Sequence, residues 1–546
     1  MIDPMSALMV SAALAFTPIH VDGLFIDGFA GGGGAITGIE QAIGRPVDIA
    51  VNHSPTAIAI HKANHPASTH FCQDIKALWP LAATKMQPVS GAWFSPDCKE
   101  FSKAKGAPVK DRAIRALCWE VVHWLKEVRP TCGYLENVEE FEYAAPLDAE
   151  GVPIKGQEGR EFKRFVRAIR GLGYHVKWWV LKASDYGAPT SRKRMYMVMR
   201  CDGLPIVKPK PTHGAPDSAA VLAGKLAPYL TAAECIDWSI ECPSIFGRTK
   251  ELADATNRRI AHGVMRYVVN AEQPFIVRRN GELAPFITYG QHGGLNRSIR
   301  DPHHTIAASR KDTNGLVTAF LSHFYGSDKV GGGGEAGEPL GTVRAGGKHH
   351  AIVTAHVEQA NGGPRNKRSA GRSAGRPLST VTTTGGQQRI VQTTMVEADA
   401  LPPEMMDRAT MVAAFLVKYY GTGGENEASQ IQAVDRELDT ITTKARFAVV
   451  TVTIDATTYV IVDIGLRMLT PRELANAQGF PPDYVLDPEC WYTTKPSKKF
   501  PNGQRKFGRL PKALQISAIG NSVCPPVARA LVAANQPCER LERAAA

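Results

Sequence analysis

Cys98 stands in WFSPDCKEFSKAKG, residues 93–106, directly after Pro96 and Asp97 and ahead of Lys99, Ser102, Lys103 and Lys105. Cations near a thiol favour the thiolate, which is the form that attacks an electrophile. Two further places offer charged groups suited to a bound molecule. A short strand over 133–135 runs into Glu136-Asn137-Val138, and a carboxylate at the C-terminal end of a strand lies where α/β sheets bind ligands. In PTSRKRMYMVMR, 189–200, Arg192 and Arg194 alternate, so on an extended segment both point to one face. Taken alone, such a basic run also suits a solvated edge.

These groups need a frame. In VDGLFIDGFAGGGGAITGIEQAIG, 21–44, residues 24–29 read as a buried strand, 31–34 as a glycine loop and 35–43 as a helix ended by Gly44. Strand, glycine loop and helix open a doubly wound α/β nucleotide-binding domain. A backbone without Cβ atoms lets a ligand lie directly against it. The next strand ends at Asn52 and His53 in DIAVNHSP, 48–55, where a dinucleotide site would place an acid. Asp74, in HFCQDIKAL, 70–78, either caps the following helix or accepts a hydrogen bond from an adenine amino group.

The 546 residues allow two or three domains, and 44% apolar residues suffice for their cores. A formal charge of +12 suits a polyanionic partner. The ten cysteines form no CxxC pair, which fits a reducing cytoplasm and argues against structural zinc, so no metal is expected. The start, MIDPMSALMVSAALAFTP, lacks a basic flank and an uncharged run of spanning length; neither a signal peptide nor a membrane helix is expected.

In order along the chain, the pieces resemble the cytosine-C5 DNA methyltransferases of bacterial or phage type. DGFAGGGG is similar to their S-adenosylmethionine loop and QDI to their adenine-binding motif. SPDCKEFS resembles their Pro-Cys-Gln nucleophile motif, ENV their catalytic glutamate motif, and PTSRKR their Gln-x-Arg-x-Arg motif. RMLTPRELANAQGFPPDY, 467–484, resembles their ninth motif, and QISAIGNSVCPPVARAL, 515–531, their tenth. The resemblance covers roughly 1–200 and 467–546.

It implies a Rossmann-like, S-adenosylmethionine-dependent catalytic domain. Phe29, Ala30, Gly31, Gly33, His53, Asp74, Asn521 and Val523 would hold the cofactor. Cys98 would add to cytosine C6, Glu136 would stabilise charge on the ring through N3, and Arg194, supported by Arg192, would contact the O2 side. The base must be flipped out of the duplex for this. Lys99, Ser102 and Lys103 would face DNA. The sequence departs from the family pattern at Asp97, Lys99, Thr190 and His53.

Residues 201–466, where this family keeps target recognition, carry four similar units marked by Thr305, Thr342, Thr380 and Thr440. Each reads as two short strands around a basic loop, so the fold class expected is a doubly wound α/β domain with an inserted β-rich recognition domain built from internal repeats. Loop residues Arg344, Lys348, Arg389 and Lys444 would line a DNA groove. Residues 397–411 read as a linker-like insert, and the basic run 493–509 as a phosphate-contacting loop or a disordered insertion. Residues 467–546 return to the catalytic domain.

The partners expected are double-stranded DNA and a cognate restriction endonuclease, for a cytoplasmic monomer. An RNA cytosine methyltransferase would use the same chemistry, without a feature here that favours RNA. A nicotinamide-dependent oxidoreductase would share the glycine loop but leave Cys98, Glu136 and the tenth motif unexplained.

Overall fold

The computed structural model describes residues 23–97, 112–149, 152–238, 240, 242–271, 314–316, 322–324, 349–359, 372–373, 388–398, 401, 403–420, 450–454, 457–494 and 500–536. These fall into two compact units. The first takes the described residues up to Tyr186, then Lys193–Thr212 and the chain from Gly479 onward. The second takes Gly187–Arg192 and His213–Gln478.

In the first unit, β1 (Leu24–Gly28) leads into α1 (Gly34–Ile43), followed by β2 (Ile49–Val51), α2 (Pro55–Asn64), β3 (Thr69–Phe71) and β4 (Val89–Phe94). After it come α3 (Arg112–Val128), β5 (Cys132–Asn137), α4 (Arg160–Gly171), β6 (His175–Lys182) and β7 (Lys193–Arg200). The sheet order is β3-β2-β1-β4-β5-β7-β6. All neighbours are parallel except β7, which runs antiparallel to β5 and β6.

The central strands β1, β2, β4 and β5 are short runs buried along nearly all their length, as a sheet covered on both faces requires, while the edge strands β3 and β6 are partly exposed. The helices cover it with one stripe each. On α3 the buried positions are Cys118, Val121, Trp124 and Leu125, and on α4 they are Phe162, Phe165, Val166 and Ile169, both at helical spacing. The strand order reverses between β1 and β4, which makes their C-terminal ends the crevice of such a sheet.

The second unit holds α5 (Asp254–Val264) and a sheet of β8 (Asn314–Leu316), β9 (Ser322–Phe324), β10 (His349–Gln359), β11 (Arg372–Ser373), β12 (Gln388–Glu397), β13 (Thr451–Ile454) and β14 (Thr457–Met468). Three of its strands overlap the positions read as apolar second strands of units two to four, and β8 overlaps that of the first. Their pairing is not uniform, since β8 runs parallel to β12 while β10 runs antiparallel to it. The marker threonines lie outside the described residues. The linker expected over 397–411 is corrected: Pro403–Tyr420 forms one helix, α6. Its Met405 and Ala409 pack on Val460 and Val462 of β14, so apolar side chains of the helix hold it to the sheet.

The same unit contains α7 (Pro471–Gln478), beyond the boundary expected at 466. Arg467 at the end of β14 forms a buried fork with Glu473 of α7, at 2.8 and 3.1 Å. Arg467 also donates to the carbonyl of Asp237, and Glu473 accepts from the Asp237 N–H. Those bonds keep α7 with the second unit.

The chain then rejoins the first unit through β15 (Glu489–Thr493), β16 (Arg505–Arg509), α8 (Lys512–Asn521) and α9 (Pro525–Asn535). The run 493–509 is therefore not a plain loop, because its C-terminal part forms β16, paired antiparallel to β15. Lys512–Asn535 is long and apolar enough to cross a membrane by composition. Here it breaks at Ser522–Cys524 into two helices, with Ile516, Ile519, Val527, Leu531 and Val532 buried in the core.

The returning segment meets α1 at backbone distance. A Cβ on Gly34 would collide with the carbonyl oxygen of Val523. At the far end, the Asn535 side chain exchanges two hydrogen bonds with the Val207 backbone, at 2.8 and 2.9 Å. Gly34→Ala is expected to destabilise the first unit by about 3 kcal/mol, the upper range for overpacking a tight contact. Chemical denaturation read on the full chain checks this, and an unchanged midpoint would show that the contact can relax.

Candidate active site

The C-terminal edge of the parallel strands gathers the candidate residues of the first unit. Beyond β1 the chain turns through Phe29, with φ +63°, Gly31, with φ +53°, and Gly33, with φ +85°, before α1 begins. The Ala30 N–H donates to the Val51 carbonyl at the end of β2, which ties the loop to the sheet. Phe29 is half-buried against the core, and Ala30 is buried. At Gly33 any side chain faces two obstacles, the left-handed backbone and the Tyr484 hydroxyl. That hydroxyl donates to the Gly32 carbonyl at 2.8 Å.

His53 is exposed between β2 and α2, and the next residue, Ser54, caps α2. Asp74 is exposed beyond β3, and its Oδ1 accepts from the Lys76 N–H at 3.0 Å, so it does cap the turn that follows. Val523 is buried with its carbonyl against α1, while Asn521 is exposed at the end of α8. Ser522 and Ala518 lie close over Gly32. The tenth-motif segment is thus folded onto the glycine loop. Bare backbone at this edge, with half-buried Phe29 and exposed His53 and Asp74, fits a nucleoside-bearing cofactor such as S-adenosylmethionine.

Across the switch point, β4 ends at Phe94, and the Ser95 N–H donates to the Gly28 carbonyl at 3.2 Å. The Trp93 indole donates to Ser95 Oγ at 2.9 Å. The segment that leads to the thiol is therefore pinned beside β1 at Ser95. Cys98, Lys99, Ser102 and Lys103 lie outside the described residues.

Glu136, near the end of β5, is buried, and β7 pairs beside it so that Glu136 is opposite Tyr196. Two residues earlier on β7, Arg194 places Nε 3.3 Å from Glu136 Oε1, with both side chains largely buried. Charge-assisted contacts of this kind orient both groups. The expected alternation of Arg192 with Arg194 does not hold, because β7 begins at Lys193. Arg192 precedes the strand, is buried, and donates its N–H to Thr190 Oγ1 within the Gly187–Arg192 stretch of the second unit.

Of the residues expected to face DNA, Arg344, Lys348 and Lys444 lie outside the described residues. Arg389 is in β12, in register with Glu358 of β10. Among the described residues, no three side chains are grouped to hold a metal.

Reading the sequence alone missed the support beneath the glycine loop. Asp27 is fully buried in β1, facing His61 at 3.9 Å, and His61 Nδ1 lies 2.8 Å from His70 Nε2. His65 bonds Glu40 at 2.8 Å and approaches Tyr484. The i, i+4 spacing of His61 and His65 was the available signal. Burial pushes the Asp27 carboxyl up to about 8, His61 down to about 3 and His70 down to about 4.

The raised Asp27 value means that the native state keeps a proton which the unfolded chain loses above its ordinary value. Its stability contribution therefore falls as pH rises toward about 8. The lowered His61 value acts oppositely, costing stability as pH falls from 6.5 toward about 3. Asp27→Asn, neutral at every pH, is expected to gain on the wild type by about 1 kcal/mol per pH unit between pH 5 and 8. Denaturant unfolding across that range reads the difference, and parallel curves would show that Asp27 is ionised in the native state.

The sequence model described as C-5 cytosine-specific DNA methylase matches residues 24–217. The chain is similar to the type II methyltransferase M.AquIA of Picosynechococcus, 30% identical over 223 residues, which cover 38% of this chain and 85% of that protein. It is also similar to M.SacI of Streptomyces achromogenes, 26% identical over 230 residues, 38% of this chain and 56% of the relative. M.XorII of Xanthomonas oryzae matches at 29% over 195 residues, 34% of this chain and 43% of the relative. The chain thus spans about half the length of the last two.

Proposed function

Because the chain belongs to the C-5 cytosine-specific DNA methylase family, we propose that it transfers a methyl group from S-adenosylmethionine to C5 of a cytosine flipped out of double-stranded DNA. The observation that carries this reading is the buried Glu136–Arg194 pair, on the same sheet edge as the glycine loop and the segment leading to Cys98. When bound, S-adenosylmethionine supplies an electrophilic methyl on a positively charged sulfur. Phe29, Ala30, Gly31, Gly33 and Val523 would form the wall of its site. Asp74 would meet the adenine with the carboxylate oxygen its cap leaves over. His53 would offer a ring nitrogen to the ribose hydroxyls, where other dinucleotide-type sites use a carboxylate. Asn521, exposed at the same place, would complete the site.

Cytosine C5 is a poor nucleophile until C6 is saturated. The Cys98 thiolate would add to C6, making the ring electron-rich so that C5 can take the methyl group. Glu136 would hold a proton at N3 and so receive the charge that the addition places on the ring. Arg194, held at 3.3 Å from Glu136, would contact the O2 side, with Arg192 in support. Loss of the C5 proton then expels Cys98 and restores the ring. Extruding the base costs a few kcal/mol of stacking.

In this reading Lys99, Ser102 and Lys103 contact the DNA backbone, and the second unit reads the target through Arg344, Lys348, Arg389 and Lys444. The enzyme would work as a monomer in the cytoplasm of a bacterial or phage-infected cell. A restriction endonuclease for the same sequence is the partner this role implies.

The test is base-resolution cytosine mapping of DNA from cells expressing the chain beside a Cys98→Ala control. One sequence context should be modified only with Cys98 present. Unmodified DNA in wild-type cells, or identical marks in the control, would overturn the reading. With purified protein, Glu136→Gln should lower methyl transfer by about 10²–10⁴-fold while leaving S-adenosylmethionine affinity unchanged. A loss confined to cofactor binding would remove Glu136 from the chemistry.

A further inference from the structure

The hairpin of β15 and β16 lies between the ninth and tenth motifs, and nothing in the proposed reaction uses it. Its register pairs Glu489 with Arg509, Trp491 with Phe507 and Thr493 with Arg505. Side chains alternate along a strand, so these six share one face. On the opposite face Cys490, Tyr492 and Gly508 are half-buried and Lys506 is exposed, and β15 lies against α2.

The open face combines two unlike features. Trp491 and Phe507 are 52% and 59% exposed, with ring centroids 5.5 Å apart, nearly edge to face. The Arg505 guanidinium lies 4.8 Å over the Trp491 ring. Arg505 and Arg509 are both exposed, and Asp487, at 3.2 Å from Arg509, is the only acid paired to them among the described residues. Across 489–509 the sequence carries six cations against the single acid Glu489.

A hydrophobic core would hide two such aromatics, and a merely solvated edge would not carry them. Flat aromatic surface interleaved with guanidinium groups is the chemistry that takes an unpaired nucleic-acid strand: bases stack on the rings and phosphates meet the cations.

We infer that this hairpin is an accessory site for single-stranded DNA, separate from the target-base site, with Trp491 and Phe507 as the stacking platform and Arg505 and Arg509 as phosphate contacts. The inference rests on the reading of the chain as a DNA-acting protein. Its test measures binding, not transfer, to a probe without cytosine, so the two stand or fall separately.

The probe is a labelled oligothymidylate of about 30 nucleotides, titrated with the full-length chain. Trp491→Ala combined with Phe507→Ala should weaken binding about tenfold, whereas Trp491→Phe, which keeps a ring, should retain most of it. Replacing Arg505 and Arg509 by Gln should reduce the slope of log affinity against log salt by about 1.4. S-adenosylmethionine affinity and the unfolding midpoint should stay unchanged in every variant. Wild-type binding by the double alanine variant would overturn the inference. So would weakening by the charge variant alone, which would mark a non-specific electrostatic surface. A change in oligomeric state with oligothymidylate binding intact would also overturn it, assigning the face to a second copy of the chain.

Discussion

The approach of α1 to the Val523 carbonyl, at a distance that only a glycine at position 34 permits, is the contact on which the first unit depends. It joins residues nearly five hundred positions apart, and it sets the geometry of the loop between β1 and α1. With that approach in place, Ser522 and Ala518 cover Gly32 from one side and the Tyr484 hydroxyl holds the Gly32 carbonyl from another. The loop is also bonded to the end of β2 through Ala30. A loop held at three points keeps its left-handed residues Phe29, Gly31 and Gly33 in place, and so offers a site that needs little ordering on binding.

Beneath the loop the same economy takes a polar form. Asp27 and His61 are kept from water, where charge is costly, and His70 is half-buried; burial drives each toward its neutral form. Glu40, His65 and Tyr484 carry the network up to the Gly32 carbonyl. A fully apolar filling would have packed as well, but it would not have offered the hydroxyl and imidazole partners that fasten the loop.

In the second unit the corresponding fastening is ionic. The Arg467–Glu473 fork is buried and tied to the backbone at Asp237. Breaking such a pair leaves a buried charge without its partner, which is far costlier than the pair is stabilising. It joins the last strand of the sheet to α7 and the crossing segment near Asp237. It also explains why the ninth motif is split between the two units, with its helix in one and Tyr484 in the other.

Local signals in the sequence determined much of the first unit. Strand, glycine loop and helix at 24–43 needed only an apolar run, glycines and a capping glycine, and Asp74 was legible as a cap from its position. The types of the reacting groups, thiol, carboxyl and guanidinium, were legible for the same reason: chemistry is written in single side chains. Relationships across the chain were not. Which arginine meets Glu136 was decided by the strand beginning at Lys193, and hence by pairing with β5 and β6. The helix at Pro403–Tyr420 and the β15–β16 hairpin read as linker and loop because their partners, β14 and α2, are remote in sequence or too weakly patterned to foresee. The histidine cluster under the glycine loop stayed hidden because burial, which only the tertiary structure supplies, is what distinguishes those side chains from surface histidines.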